Sequence, residues 1–551
     1  MKRLSVVVAI VACATAGSSL LQALPVEKSV APIQTEGGLV AGMVLNSGVK
    51  AWYGVPFAKP PTGELRWRPP QPMSWKGVWN ADRKMPECMQ VLRPHNINHY
   101  FGEEATSEDC LYLNVWAPGN ATASSRLPVI VFIYGGGGTI GTSGSPLYAG
   151  DYVARHGAVF INFNYRVGVL GFLAHPELSR EQGGHSGNYA YLDQNAALKW
   201  IHANAARFGG DPDKIVIMGQ SAGAGSVVQQ TYSPLSKGLF RGAVMSSGCN
   251  WGAAQGTSLA DGEKNGLAIQ SHLGAANLAE MRNISADRII AAQTENQVGV
   301  SVVGIRAAGI IDGYFMPKTQ LAILQAHEVN DVPMIASFNH DEAASPLQSA
   351  ATVAEYEAIA TKMYGANAPA FLAAYPVKSV DDIRRVGGQV AREAGLETNA
   401  RNCAALQAQY ARSKTYIDTF SRKHPYAPGV KIADQDTATI GAYHTSDIPY
   451  WFGTQDAFNL MRTTRNWTAW DRELSEKMMA SLIAFANTGN PATNDVPWPA
   501  WSAGNEVKAE FGPTKISTVK LNTAGMDWLK AHPAQAVQAP ASDRGTGFPR
   551  D

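Results

Sequence analysis

Gly219-Gln220-Ser221-Ala222-Gly223 sets a serine between two glycines in the spacing G-x-S-x-G. That spacing suits nucleophilic attack by a hydroxyl. A sharp strand-to-helix turn would thrust the serine out at a strained backbone angle, and side chains at the flanking positions would collide with neighbouring backbone. The pattern alone is weak, because it recurs by chance in long chains. Here it follows the β-branched run Ile215-Val216-Ile217 and precedes Ser226-Val227-Val228-Gln229-Gln230, which fits a helix. The context that the chemistry needs is present, and Ser221 is the expected nucleophile. A second glycine-rich stretch, Gly135 to Gly138, ends another apolar run upstream. Acyl transfer needs backbone N–H donors aimed at a developing oxyanion, and glycine lets the chain approach a substrate closely. Gly136, Gly137 and the N–H of Ala222 are the expected donors. A phosphate-cradling loop is the competing reading, but no Gly-Lys-Ser/Thr follows and no acid is placed to bind a ribose.

A serine nucleophile needs a base, and the base needs an orienting acid. Around a G-x-S-x-G turn the three follow the order serine, acid, histidine. His424, His444 and His532 lie far enough downstream to follow an acid in the middle of the chain. His424 sits in the charged stretch Ser421-Arg422-Lys423-His424-Pro425, and His532 near a C-terminus expected to fray. Asp341 and Glu342 are adjacent, and on the residues alone either would serve as the acid.

These groups need a scaffold. Val129-Ile130-Val131-Phe132-Ile133-Tyr134 is a continuous apolar, β-branched run, as expected of a strand buried on both faces. Ala158 to Phe163 is a second such run. From Tyr189 to Phe208, Leu192, Ala196, Leu198, Trp200 and Ile201 recur at helical spacing, and Gly209-Gly210-Asp211-Pro212 stops the helix. Lys214 to Met218 is then a short buried strand that runs into Gly219. Strand, helix, strand with apolar strands predicts an α/β fold: a central, mostly parallel sheet flanked by helices. The stretch from about Asn250 to Ile440 is richer in Ala, Glu, Arg and Gln, and is expected to be mostly helical and to lie over the active site.

The 551 residues are 45% hydrophobic and 17% charged, with a formal net charge of +1. That balance is globular, and near-neutrality without a basic run gives no case for nucleic acid. Beyond the first 25 residues no apolar stretch approaches the roughly 18 positions of a spanning helix. Lys2 and Arg3, the apolar stretch Leu4 to Ala12 and Ala14-Thr15-Ala16 follow the order of a secretory signal, with Ala23 a later cleavage option. Ile10-Val11-Ala12-Cys13 also resembles a bacterial lipoprotein processing site, which would put a lipid anchor on Cys13. Export permits disulfides. Cys88 and Cys110 are the expected pair, while pairing of Cys249 with Cys403 is left open. No C-x-x-C or H-E-x-x-H occurs, so no metal site is indicated.

Further stretches are similar to the type-B carboxylesterase family, which includes the cholinesterases. They are Tyr53-Gly54-Val55-Pro56-Phe57-Ala58-Lys59-Pro60-Pro61, Gly63-Glu64-Leu65-Arg66-Trp67-Arg68-Pro69-Pro70 and Ser107-Glu108-Asp109-Cys110-Leu111-Tyr112-Leu113-Asn114-Val115-Trp116. Asn164-Tyr165-Arg166-Val167-Gly168, Gly187-Asn188-Tyr189 and Phe208-Gly209-Gly210-Asp211-Pro212 follow before the serine motif. The resemblance is dense from about residue 35 to 250 and patchier afterwards. It implies an α/β-hydrolase fold in one catalytic body, a Cys88–Cys110 bridge and a structural Arg66–Glu108 ion pair. Gly441-Ala442-Tyr443-His444-Thr445-Ser446-Asp447-Ile448-Pro449-Tyr450 resembles the family's histidine loop and selects His444. Phe338-Asn339-His340-Asp341-Glu342 resembles Asn-x-Asp-Glu-Gly and selects Glu342 as the acid, although Ala343 replaces the glycine. Ser226 matches a serine that supports the acid in relatives. Gln220 stands where many relatives carry glutamate, removing a negative charge beside His444. Gly138 replaces an aromatic, which should open space near the acyl group. The Cys88–Cys110 loop has no tryptophan, which sets a cholinesterase role aside.

The resulting expectation is a serine carboxylesterase that acts through an acyl-enzyme on a small-molecule ester. The resemblance implies no metal and no organic cofactor. An acyl transferase or biosynthetic esterase of the same fold is the alternative, and a non-catalytic binding protein the remote one. Residues 1–23 are expected to be a signal peptide, 24–530 one catalytic domain and 531–551 a flexible tail. A secreted or periplasmic location follows, with a membrane-anchored lipoprotein as the alternative; the oligomeric state is open.

Overall fold

The structure is a computed structural model in which residues 28–91, 105–252, 256–295, 309–432 and 436–536 are described. The expected signal peptide and Cys13 lie outside them. Twelve strands form the path of one large sheet. In chain order they are β1 (Lys28–Gln34), β2 (Leu39–Val44), β3 (Lys50–Pro56), β4 (Tyr112–Ala117), β5 (Leu127–Ile133) and β6 (Val159–Phe163). Then come β7 (Gly210–Gln220), β8 (Gly242–Ser246), β9 (Met334–Asn339), β10 (Thr415–Phe420), β11 (Val507–Phe511) and β12 (Ile516–Lys520). Their spatial order is β1-β2-β3-β4-β6-β5-β7-β8-β9-β10-β11-β12, and Val78–Asn80 pairs with β2 beside this path.

From β6 to β11 every neighbouring pair is parallel, whereas β1 to β4 form an antiparallel margin and β12 closes the other edge antiparallel. Val129 to Ile133 and Ile215 to Met218 are fully buried. A parallel strand covered by helices on both faces must be apolar on both, and these runs are. The main helices that cover the sheet or pack beside it are α1 (Tyr189–Asn204), α2 (Ala222–Tyr232), α3 (Val353–Tyr364), α4 (Val380–Ala394), α5 (Leu396–Tyr410), α6 (Ala469–Thr488) and α7 (Thr523–Ala531). The helix expected over Tyr189 to Phe208 is α1 followed by a 3-10 turn, stopped by Gly209 at φ +90°.

The 250–440 segment is largely helical, and it also supplies two central strands, β9 and β10. Their short runs, Met334–Asn339 and the mixed Thr415–Phe420, sit among helical segments that mask them. A second, smaller core of Leu347, Tyr356, Phe371, Ile383, Val390 and Leu529 forms beside the main one. It lies directly after the loop that carries Glu342. At the C-terminal end, Ala531 is the last residue of α7, and the Gln535 N–H donates to Met363 O at 2.8 Å. Residues 537–551 lie outside the described region. Among the described residues, no helix is long and apolar enough to cross a membrane.

Cys88 is bonded to Cys110, as expected, and Cys249 is bonded to Cys403. Arg66 makes the expected pair with Glu108, its Nε donating to Oε1 at 2.7 Å and its Nη2 to Oε2 at 2.6 Å. The disulfides close segments of 22 and 154 residues in sequence separation. On loop entropy the shorter stabilises by about 3 kcal/mol and the longer by about 5 kcal/mol. Denaturant unfolding of Cys88→Ser/Cys110→Ser and Cys249→Ser/Cys403→Ser is therefore expected to show the larger loss in the second variant. The reverse order would contradict the pairing's entropic role.

Candidate active site

The register of the parallel strands brings the chemistry together. Ile133 lies opposite Gly219, and Gln220 opposite Ser246, which in turn faces Ser337. The C-terminal ends of β5, β7, β8 and β9 therefore lie side by side. The glycine run leaves the first of these ends, Ser221 the second and Glu342 the last. Crevices at this edge of a parallel sheet are where open α/β sheets bind ligands.

Ser221 has φ +57° and ψ −125°, a conformation that non-glycine residues avoid. Its N–H donates to Ser246 O at 2.8 Å, and its carbonyl accepts from Gly225 N at 3.0 Å, opening α2. The flanking glycines are required by space. A Cβ on Gly219 would stand 2.2 Å from Gly223 O, and one on Gly223 would stand 2.1 Å from Ile133 O. Ala222 is the first residue of α2, where a helix leaves its own N–H groups unpaired. Gly136 and Gly137 turn through φ +106° and +67° beside it. Gly135 lies so close to the serine turn that a Cβ there would be 2.9 Å from Ser221 Cβ.

Glu342 and His444 meet directly: the imidazole Nδ1–H donates to Glu342 Oε2. The carboxylate is almost wholly buried, and its other oxygen accepts from Asn339 N at 2.8 Å. Burial by itself pushes the His444 ring down. The charge and hydrogen bond of Glu342 outweigh it, with Asp447 adding in the same direction, and hold the imidazole above its ordinary value. The Gln220 side-chain amide donates to His444 Nε2 at 3.2 Å. A neutral amide thus occupies the position beside the ring. Asp341, the other candidate acid, bonds elsewhere: its Oδ2 accepts from Ala442 N at 2.8 Å. Ser226, on α2, accepts from Gln194 Nε2 of α1 at 3.0 Å. Gly138, where relatives carry an aromatic, is buried and its carbonyl accepts from Gly168 N at 2.7 Å.

Two residues behind the site were not singled out by sequence. Asp447 is fully buried and accepts from Ser246 Oγ at 2.7 Å, Asn339 Nδ2 at 3.0 Å and Trp451 Nε1 at 3.1 Å. It ties the serine's neighbour strand, the acid strand and the histidine loop to one carboxyl group, which burial pushes above the ordinary range. Its position three residues after His444 was the only signal. His424 is buried under the histidine loop rather than exposed with its charged neighbours. Its Nε2–H donates to Ser446 O at 2.8 Å, so its Nδ1 accepts from the Tyr443 hydroxyl at 3.1 Å. Burial, with Arg465 nearby, lowers it to about 3, leaving a neutral ring that grips residues on both sides of His444.

Among the described residues, no group of three or more His, Cys, Asp or Glu side chains could hold a metal. What the arrangement offers is a hydroxyl on a strained turn, backbone donors next to it and an acid-backed imidazole at the same sheet edge. That is the equipment of acyl transfer.

Known proteins carry the same framework. Residues 29–526 match the family model described as the carboxylesterase family. A fumonisin B1 esterase from Sphingopyxis macrogoltabida is 34% identical over 486 residues, spanning 86% of this chain and 85% of that protein. A para-nitrobenzyl esterase from Bacillus subtilis (strain 168) is 30% identical, spanning 85% of this chain and 92% of the relative. A solved PNB esterase structure superposes with a TM-score of 0.72 at 28% identity, covering 90% of this chain and 98% of its own.

The neutral His424 has a consequence for stability. Its pKa is lower folded than unfolded, so the unfolded chain binds more protons between about pH 3 and 6.5. The stability it contributes is full above that window and is lost as pH falls into it. Relative to His424→Gln, which cannot titrate, the wild type should lose about 2 kcal/mol more between pH 7.5 and 5. Urea unfolding at the two pH values measures this, and equal slopes would mean the ring protonates in place.

Proposed function

We propose that this chain, which belongs to the carboxylesterase family and is a carboxylic ester hydrolase, cleaves its esters through an acyl-enzyme on Ser221. The observation that carries this reading is the Glu342–His444 hydrogen bond at the sheet edge where Ser221 sits on its strained turn. His444 Nε2 takes the hydroxyl proton as Ser221 Oγ attacks the ester carbonyl. The oxyanion is held by the N–H groups of Gly136, Gly137 and Ala222, each such donor being worth roughly 3 kcal/mol. His444 then protonates the departing alcohol. Water, deprotonated by the same nitrogen, attacks the acyl-enzyme and releases the acid. Glu342 keeps the ring in the tautomer with Nδ1 protonated and stabilises the imidazolium.

The reading extends to the chain's location. Two disulfides are compatible with a secreted protein, and residues 1–23 are proposed as the export signal ahead of one catalytic domain that runs from residue 24 to about 530.

A chain-length series of p-nitrophenyl esters tests the chemistry. Ser221→Ala is expected to lower kcat on the order of 10⁶-fold, and the best chain length to size the acyl pocket. A wild type inert on every ester would instead favour the binding-protein reading. Because His444 must be neutral to act as base, and Glu342 raises it, kcat/KM should rise with pH through a midpoint above about 6.5. Glu342→Gln should lower both kcat and that midpoint. A profile flat from about pH 5 to 8 would speak against a histidine base.

A further inference from the structure

The two partners of the acid–base pair arrive on different pieces of chain. Glu342 follows the end of β9, while His444 lies in a long irregular connection after β10. Strand register therefore does not set the distance between them. The acid loop is attached to β10, where His340 N donates to Phe420 O at 2.9 Å, and to α4, where Arg392 Nη1 donates to His340 O at 3.3 Å. Neither contact reaches the histidine loop.

Asp341 does. Its N–H donates to Ala442 O at 3.0 Å, and its Oδ2 accepts from Ala442 N at 2.8 Å. The residue just before Glu342 thus holds, at both backbone groups, the residue two before His444. Ala442 is fully buried, so these bonds are shielded on its side. Gly441 fits only because it lacks a side chain: a Cβ there would stand 2.2 Å from Asp341 Oδ2, at a φ of +67°. The other carboxylate oxygen, Oδ1, accepts from His340 Nδ1 at 2.8 Å, which orients the carboxylate toward Ala442.

We infer that Asp341 is a positioning residue, a clamp between the acid loop and the histidine loop that sets the reach of Glu342 Oε2 to His444 Nδ1. This rests on the reading of Glu342 and His444 as acid and base. Asp341 touches neither the substrate nor the reacting atoms in this role. The groups that face its carboxylate are His340 on its own loop and Arg392 from α4, and their bonds and charges, with the Ala442 N–H, outweigh burial and hold it below the ordinary range. It is therefore an anion wherever the enzyme would work. Glu342, Asp447 and the Gln220 amide are among the groups that face His444; of these, Glu342 raises the ring most.

The clamp is tested with Asp341→Ala, Asp341→Asn and Gly441→Ala, using steady-state kinetics on a p-nitrophenyl ester from pH 5 to 9. Displacement of a catalytic group by about 1 Å costs on the order of 100-fold. Asp341→Ala is therefore expected to lower kcat about 10- to 100-fold, with KM within about twofold. The midpoint of its kcat/KM profile should also fall, because His444 loses part of its contact with Glu342. Gly441→Ala should do the same from the other side of the clamp, with the carboxylate still present. Asp341→Asn keeps an oxygen that accepts from Ala442 N–H, and should restore most of both.

A kcat within about twofold of wild type in Asp341→Ala would overturn the inference, as would a large loss of kcat with an unmoved midpoint, which marks a merely structural role. If Asp341→Ala does not fold, wild-type behaviour of Gly441→Ala overturns it instead. Parallel assays of Ser221→Ala and Glu342→Gln keep the two readings apart: wild-type activity in either would sink the triad itself, whatever Asp341 does.

Discussion

A serine held at φ +57° and ψ −125° is a conformation that the chain would leave if it were free to do so. Strain of this kind costs about 1–3 kcal/mol and survives only where the surroundings over-determine it. Two backbone hydrogen bonds, from Ser221 N to Ser246 O and from Gly225 N to Ser221 O, each return about 1 kcal/mol. The rest must come from packing, and the glycines show where. Gly219 stands against Gly223, Gly223 against the end of β5, and Gly135 against Ser221 itself, all at distances that no Cβ would tolerate. Strand β7, helix α2 and strand β5 are therefore locked by the one turn. Tilting any of them would release the serine.

The acid and the histidine need a different device, because their loops are irregular. Buried polar groups take over the role that strand register plays for Ser221. Asp447 joins three elements beneath the site, and neutral His424 grips the residues that flank His444. Such groups are costly to bury, and breaking any one leaves its partners unsatisfied in a dry interior. A loop built this way has few alternative conformations at low energy. That suits the role of base proposed for His444, whose nitrogen would have to meet a proton at hydrogen-bond distance.

The parts legible in the sequence were those in which the signal is local. The strand before Ser221, the glycines around it and the glycine run after β5 are consecutive residues whose pattern predicts a buried strand, a tight turn and a helix, and the structure has strand, turn and helix there. Strands β9 and β10 were harder to see, being six residues each and surrounded by helix-forming segments. Residues alone left Asp341 and Glu342 as alternatives, because adjacent side chains in a loop point in unrelated directions. In the structure Glu342 turns to His444 and Asp341 to Ala442. His424 sits in a charged stretch, yet it is buried, Arg422 pairs with buried Asp471 and Arg465 lies over Tyr426 and Phe458. Asp471 lies 49 positions from Arg422, and no pattern in a single sequence announces such a pairing.

The same buried groups decide where negative charge resides behind the base. Three carboxyl groups, Glu342, Asp447 and Asp418, lie in or beneath the site, and two of them are pushed upward by burial with no cation in direct contact. Asp418 has only the Ser337 hydroxyl on one oxygen, and its other oxygen, Oδ1, is buried without a partner. Asp447 is better satisfied, but by neutral donors. The Glu342 carboxylate is the one that meets the His444 imidazole. On the opposite side of the ring Gln220 contributes a dipole rather than a second anion. The Glu342 carboxylate at Nδ1 favours the tautomer protonated there, and Nε2 accepts from the Gln220 amide.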